Sequence, residues 1–490
     1  EMAAIITEKF RTHNAKQFRE DFSESASSTY IFIGRSFDWS DENVPPSPAN
    51  SIGEEIDAYS DMIALKKVAN TDVSHGLVRR NWDSTGATSY DEYQHNISTS
   101  NTAVASGATN LFDSRFYVIT DEYHVYKCIR TGRDSSGAVV ASTVKPTGTS
   151  PTTLVSTSDT AAAAGRGYLW KYMYTVSASE TIKFVTNDFI PVKTIGAQTE
   201  VDGESAIGTA ASDNGTAQWD VENQAIDGAV YHIEVTAGGS GYNDGDYTAV
   251  AILGDGQNGE CTVTVSSNVV SHITVTTNGS GYKRASVNID GITGIGSGTN
   301  AVANVIISPI YGHGSSPIEE LGGNYIIVNS RLEFNEGSGD FPTDNDFRRI
   351  GLIQDPFSKG TTTVSTSDSL TAYHQITVSG TGNISVDDTI MNSNSNGSGV
   401  AVSRVVSVDS TNNIVSHTPV ANSGGQYVDF ANSDTIYVGG VQVATTGGSA
   451  VSTTHPEVER FTGKIMYIEN RGRVTRAADQ IEDIKLIIEM

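Results

Sequence analysis

The chain has 490 residues and a formal net charge of −26, yet only 18% of its side chains are charged. That acidity excludes general nucleic-acid binding, which needs clustered Lys and Arg to displace counterions from phosphates, and it disfavours anionic membrane surfaces for the same reason. The 48 glycines and 12 prolines follow no Gly-X-Y period, which excludes a collagen-like chain; Ser, Thr, Asn and Asp crowd the gaps between short Val, Ile and Tyr runs and point to a soluble β-rich protein.

A prior of roughly 150 residues per domain divides this length into roughly two to four domains. Cys128 and Cys261 lie far apart, with no Cys-x-x-Cys spacing. They read as core fillers in a protein assembled in a reducing cytoplasm, not as a disulfide or metal framework. No apolar signal region opens the chain and no run of about 18 apolar residues occurs, so neither classical secretion nor membrane insertion is expected.

In chain order, Phe10, Phe18 and Phe22 recur near helical spacing and predict a helix over Glu8 to Phe22. Thr29 to Ile33 reads as a buried strand stopped by Gly34, and a Pro-bearing loop follows through Pro45, Pro46 and Pro48. Gly53 to Val68 reads as a second helix, with Ile56, Tyr59 and Ile63 on one face and Lys66 and Lys67 in its last turn. Phe116 to Ile119 and Val125 to Ile129 flank Thr120-Asp121-Glu122 and predict a hairpin. Residues 134–164 read as a surface loop by composition, and Tyr168 to Tyr174 as an aromatic strand.

The texture changes near Gly196. His232-Ile-Glu-Val-Thr followed by Gly239-Ser-Gly-Tyr242 recurs 40 residues later as His272-Ile-Thr-Val-Thr followed by Gly279-Ser-Gly-Tyr282. A degenerate echo lies at Asn413 to His417 and Gly424 to Tyr427. Such a period means duplicated β units that stack to bury their apolar faces. Gly239, Gly241, Gly279 and Gly281 read as turn glycines, with Tyr242 and Tyr282 packed over the turns and their hydroxyls in water. A glycan-binding aromatic platform is the functional alternative. Beyond Pro317, Tyr325 to Val328 and Arg331 to Phe334 read as strands, then Phe347 to Ile353 leads to Asp355-Pro356. Residues 359–455 form another Ser/Thr/Gly/Asn-rich β segment. The chain closes with a strand at Lys464 to Glu469, a polar turn and a strand at Ile481 to Ile488.

No Gly-x-Ser-x-Gly elbow, phosphate loop or His-Glu-x-x-His motif occurs, so neither catalytic nor cofactor-binding residues are assigned. His232 and His272 occupy equivalent strand positions, which suits a strand surface better than a metal site. Asn243 to Asp246 and Thr343 to Asp346 hint at calcium but lack a complete ligand loop, so no metal is assigned. Glu54-Glu55 and Glu319-Glu320 are sequence neighbours whose side chains diverge on a helix or strand, against shared acid–base work.

The order of several short motifs carries a resemblance. Lys9 to Thr12, Tyr30 to Ser36 with Trp39-Ser40, Val78 to Trp82, Val125 to Cys128, Gly167 to Tyr172, Phe347 to Ile350 with Asp355-Pro356, Gly463 to Arg471, and Asp479-Gln480 with the terminal apolar strand resemble baseplate wedge subunits of the gene-product-eight type from T-even-like contractile-tailed phages. The likeness covers residues 5–195, 318–358 and 456–490. Where the family pattern has prolines, this chain has Arg471-Gly-Arg473, which puts the local turn in question.

The resemblance implies a mainly β, multidomain β-sandwich or β-roll with a few short helices and inserted β-repeat domains. Its parts are a family-like core over 1–195, a repeat domain over 196–316, a return to the core over 317–358, a second inserted segment over 359–455 and core strands over 456–490. It further implies a virion tail-baseplate protein, a homodimer that bridges neighbouring wedge proteins in assembly and contraction; the acidity and the lack of a long apolar run add that neither nucleic acid nor membrane is expected among its partners. Candidate interface or family-motif residues are Phe10, Arg11, Arg35, Trp39, Arg79, Arg80, Trp82, Trp170, Tyr172, Glu469, Asn470 and Arg471, since exposed aromatics beside arginines anchor interfaces. A receptor-binding tail adhesin is the alternative that the Gly-Ser-Gly-Tyr repeats raise.

Overall fold

The structure, a computed structural model, describes residues 5–24, 27–163, 165–196, 216–333, 341, 343, 345–477 and 480–490. Phe334, Asp344 and Asp479, on which parts of the sequence reading fall, lie outside the described residues. The fold is mainly β, as expected, and divides into two compact units. Among the described residues no helix is long and apolar enough to cross a membrane.

The first unit contains the residues up to Lys16, Ser74–Ile327 and Ile487–Met490. Its centre is a four-stranded antiparallel sheet in the order Tyr117–Ile119, His124–Arg130, Leu169–Thr175, Val155–Ser156. Ile119 opposite Val125 closes the predicted hairpin. Both faces of the Leu169–Thr175 strand are buried, which is why it reads as an aromatic run: Met173 and Tyr174 pack with Phe116, Tyr117 and Val125, while Trp170 and Tyr172 pack with Tyr90, Tyr126 and Cys128. Residues 134–163 are mostly loop but not simply surface. Buried Asp159 accepts hydrogen bonds from the Thr143 and Val144 amides at 2.8 and 3.1 Å and from the Thr157 hydroxyl at 2.6 Å, which pins this stretch to the sheet.

The repeat forms its own five-stranded sheet, in the order Gly245–Ala251, Gln257–Ser266, Val269–Ser280, Val230–Tyr242, Gly296–Ile307. Ile233 lies directly opposite Ile273 in antiparallel register, so equivalent residues of the two copies face each other across a local two-fold axis. Each copy's last strand pairs with the other copy's first, so neither copy can close alone. Ile233 and Ile273 point into the apolar core together with Cys261 and Val263. The excursion is pinched at its neck, where the Ser308 amide donates to the Ala229 carbonyl at 3.0 Å.

The repeat tyrosines correct the sequence reading. Their hydroxyls are not in water: Tyr242 and Tyr282 are 0% and 2% exposed. The Tyr282 hydroxyl donates to the Ile252 carbonyl at 2.9 Å and accepts from the Gly259 amide at 3.1 Å. The Tyr242 hydroxyl donates to Asp290 at 2.7 Å and accepts from the Ala301 amide at 3.3 Å. Gly239 and Gly279 have φ of +64° and +62°, and a Cβ at either would come within 2.9 or 2.7 Å of the following tyrosine ring, so close backbone approach excludes any side chain there. Tyr282→Phe is therefore expected to cost about 1–3 kcal/mol in urea denaturation, because it leaves a buried amide and carbonyl unpaired; a change below about 0.5 kcal/mol would contradict this role. The third echo does not join the sheet. Its strand, Ile414–Pro419, belongs to the second unit, where Tyr427 packs edge-on against Phe461 at 5.8 Å.

The second unit contains Gln17–Val73 and Val328–Leu486. Its main sheet runs in the order Ser369–Thr371, Met62–Lys67, Thr29–Gly34, Asn345–Gln354, Lys464–Arg476. The second predicted helix is shorter than expected. Ser51 caps Ile52–Asp61, and Met62–Lys67 is a strand, its first four residues buried. A short apolar run fits either period, and sheet packing decides it. The polar turn expected at Arg471-Gly-Arg473 is instead a bulge inside one strand: Lys464–Arg476 pairs with Asn345–Gln354 on either side of it, and the register shifts there so that these three residues stand opposite Arg348 alone. Likewise Tyr325–Leu332 is one strand where two were expected. Six strands between His374 and Val451 close into a barrel, an architecture that composition alone did not indicate. It too is pinched at the neck, where the Glu457 amide donates to the Thr371 carbonyl at 2.9 Å.

Candidate protein interface

In the second unit, residues distant in sequence converge around Trp39. Arg35 is in the left-handed region at φ 58°, directly after the strand that ends at Gly34, and this turns its guanidinium back over two rings. It lies 3.5 Å from the Trp39 ring centre and 3.9 Å from that of Phe37. Burial pulls the Arg35 guanidinium down to about 10. The Trp39 indole donates to the Arg471 carbonyl at 2.8 Å, which ties the N-terminal aromatic segment to the penultimate strand. Arg471 pairs with Glu469 at 2.6 Å, and Asn470 accepts from Arg349 at 3.0 Å.

Two adjacent arginines support this face from beneath. Arg348, fully buried, pairs with Glu42 at 2.7 Å and with Asp38, and donates to the Ser36 carbonyl at 2.5 Å. Arg349 pairs with Glu54 at 2.6 Å and with Asp61 at 2.9 Å. Burial drives the Asp61 carboxyl up to about 7 against the pull of Arg349. Sequence reasoning included neither arginine among its site residues. The available signal was two charges inside the apolar run Phe347 to Ile353, which a buried strand tolerates only with acidic partners.

The remaining predicted residues are placed elsewhere. Arg79, Arg80 and Trp82 belong to the first unit. Arg79 donates to Thr186 and Arg80 to Phe112 backbone carbonyls at 2.8 and 3.1 Å, and the Trp82 indole donates to Ser142 at 3.2 Å, so these finish a local core. Trp170 and Tyr172 are fully interior and carry the likeness through packing. Phe10 is 53% exposed on the Glu8–Asp21 helix, and Arg11 pairs with Glu489 at 3.0 Å. Asp244 and Asp246 spend their oxygens on the Asn268 amide and the Thr264 hydroxyl, both at 2.7 Å, as turn and strand bonding.

The adjacent carboxylates do diverge: Glu319 pairs with Lys16 at 2.5 Å and Glu320 with Lys127 at 2.8 Å. His232 is not on a strand surface but nine-tenths buried beside Glu92 and Glu234, and these three side chains could hold a metal ion.

Residues 4–202 match the family described as Bacteriophage T4, Gp8. The chain carries a Gp8-type region. It is also 28% identical, over 213 residues, to the baseplate wedge protein gp8 of Enterobacteria phage T4. That similarity covers 39% of this chain and 60% of the phage T4 protein's length. The resemblance read from the motifs between Lys9 and Tyr172 therefore holds. Of the Trp39 cluster, Arg35, Trp39, Glu42 and Glu54 lie inside the Gp8 match, whereas Arg348, Arg349 and Glu469 to Arg471 lie beyond it.

Proposed function

We propose that this chain is a structural, non-enzymatic subunit of a contractile-tail baseplate wedge, located in the virion and acting as a homodimeric bridge between neighbouring wedge proteins during assembly and contraction. The Gp8 match over residues 4–202 carries the reading. The face around Arg35, Trp39 and Arg471 is its docking surface, because a partly buried tryptophan stacked under an arginine and held by a network of ion pairs is a preorganised anchor. The excursions through the repeat sheet and the barrel enlarge the subunit without forming its assembly surface. Burial of Tyr242 and Tyr282 leaves the adhesin alternative without the platform that raised it.

Light scattering of the purified protein is expected to give twice the 51.9 kDa chain mass. A trimer would point to a fibre or adhesin, and a monomer would remove the bridge. Excising Val230–Ile307 and joining Ala229 to Ser308 should leave the protein dimeric, at twice the mass of the shortened chain, since the neck is already closed by one hydrogen bond. Trp39→Ala should weaken capture of wedge partners at least tenfold, the scale of an interface anchor; equal capture by both proteins would move the docking surface elsewhere.

A further inference from the structure

We propose that Glu92, His232 and Glu234 bind a divalent first-row transition ion of the Zn2+ type, which clamps the repeat sheet onto the Gp8-type region. The argument begins with strand alternation. Ile233 and Ile273 face the repeat core, so His232, Glu234, His272 and Thr274 lie on the opposite face, where they line one cleft with Arg130, Thr131 and Arg133. Glu92 comes from the preceding Gp8-type region and is itself fully buried.

His232 Nε2 stands 3.2 Å from Glu234 Oε2 and 3.6 Å from Glu92 Oε2, and the three ligand atoms all lie within 4.8 Å of one another. Charge-assisted hydrogen bonds contract to about 2.7–2.9 Å, and one ring nitrogen has a single proton for two carboxylates. A tetrahedral ion with bonds of about 2.0–2.1 Å spaces its ligands about 3.3–3.4 Å apart, which the observed separations straddle. Imidazole with two carboxylates suits such an ion better than Ca2+ or Mg2+, and the two carboxylates balance its charge.

The outer oxygens are already held. Gln94 donates to Glu92 Oε1 at 2.8 Å and Arg133 pairs with Glu234 Oε1 at 2.8 Å, while the Thr131 amide donates to the ligand oxygen Glu92 Oε2 itself at 3.0 Å and fixes its position. Supports of this kind orient ligands towards an ion. The nearby cations are partly diverted: Arg130 donates to the Gly167 carbonyl at 2.8 Å and Arg166 to the Asp134 carbonyl at 3.1 Å. The duplication supplies an internal control. The second copy keeps His272 but has Thr274 where the first has Glu234, so only the first copy has the ligand pair.

The test uses the full chain, stripped with a chelator and titrated with Zn2+ by calorimetry, with Co2+ absorption as a second readout of coordination. One ion per chain is expected, with a visible Co2+ band typical of four-coordinate nitrogen and oxygen ligands. Glu234→Thr, a residue the duplicate already carries at this position, should weaken Zn2+ binding at least 100-fold while circular dichroism stays unchanged, and Glu92→Gln should weaken it likewise. His272→Ala should leave the affinity within twofold. Absence of stoichiometric Zn2+ uptake by the folded wild-type chain overturns the proposal, as does an affinity that survives Glu234→Thr or falls equally with His272→Ala.

Discussion

Glu320→Ala is expected to destabilise the first unit by about 3–5 kcal/mol. Glu320 and Lys127 form an ion pair at 2.8 Å with both side chains essentially sealed from solvent. Lys127 also stands 4.0 Å over the Tyr93 ring, and burial pulls its ammonium down, with Glu320 holding it charged. The other Glu320 oxygen accepts from the Gly314 and Ser316 amides at 2.7 and 3.2 Å and thereby shapes the segment that follows the repeat excursion. Removing the carboxylate strands a buried cation and two amides together. Lys171 shares this environment: burial brings it down to about 8 and Glu320 opposes that shift, so losing Glu320 strips a second buried ammonium of its counter-charge. Lys127→Met with Glu320→Leu should restore only part of the loss, because the amides remain unpaired at about 1–3 kcal/mol each. Urea denaturation followed by tryptophan fluorescence reads this unit well, since Trp82, Trp170 and Trp219 all lie in it. A Glu320→Ala midpoint shift worth less than 1 kcal/mol by the same measurement would show the pair to be dispensable.

How much of this was legible in advance depended on the range of each interaction. Local signals read well: the Glu8–Asp21 helix, the Thr29–Gly34 strand, the Tyr117–Arg130 hairpin and the 40-residue duplication all follow from periodicity and turn chemistry within one window. Errors arose where a distant partner decided the state. Met62–Lys67 became a strand because Thr29–Gly34 and Ser369–Thr371 hydrogen-bond to its two sides. Arg471-Gly-Arg473 became a bulge within a strand, not a turn, because Asn345–Gln354 pairs with the residues on both sides of it. The repeat tyrosines turned inward because strand ends more than 20 residues away offered their hydroxyls buried partners. The candidate sites were legible only in halves. Trp39 and Arg471 both stood out as residue types, but 432 positions separate the bonded pair. His232 and Glu234 were visible as a strand pair, whereas no spacing rule could have added Glu92.

The barrel of the second unit should be acid-labile, with a contribution from His417 that one substitution isolates. His417, on the Ile414–Pro419 strand, is fully enclosed beside His374 and Phe430, and neither of its ring nitrogens has a hydrogen-bond partner. Burial lowers it from 6.5 to about 3, and the neighbouring His374 and Arg460 push in the same direction while Asp429 opposes them. The folded barrel thus keeps His417 neutral, whereas the unfolded chain takes up a proton near pH 6.5. Between those two values the unfolded state binds more protons, so stability falls as the pH drops and is fully present above about 6.5. At pH 4 the loss attributable to His417 is about 3 kcal/mol, from about 1.4 kcal/mol for each unit of displacement. His417→Leu removes both the proton site and two unpaired buried nitrogens, so it should leave stability at pH 7 unchanged or about 1 kcal/mol higher. Its advantage over the wild type should widen to about 3–4 kcal/mol at pH 4. Urea denaturation of both proteins at the two pH values isolates this contribution, because every other titrating group, His374 included, is common to both. Parallel pH slopes for the two proteins would mean that His417 gains water or a partner before it is protonated, and the barrel's acid response would then belong to His374 and the carboxylates.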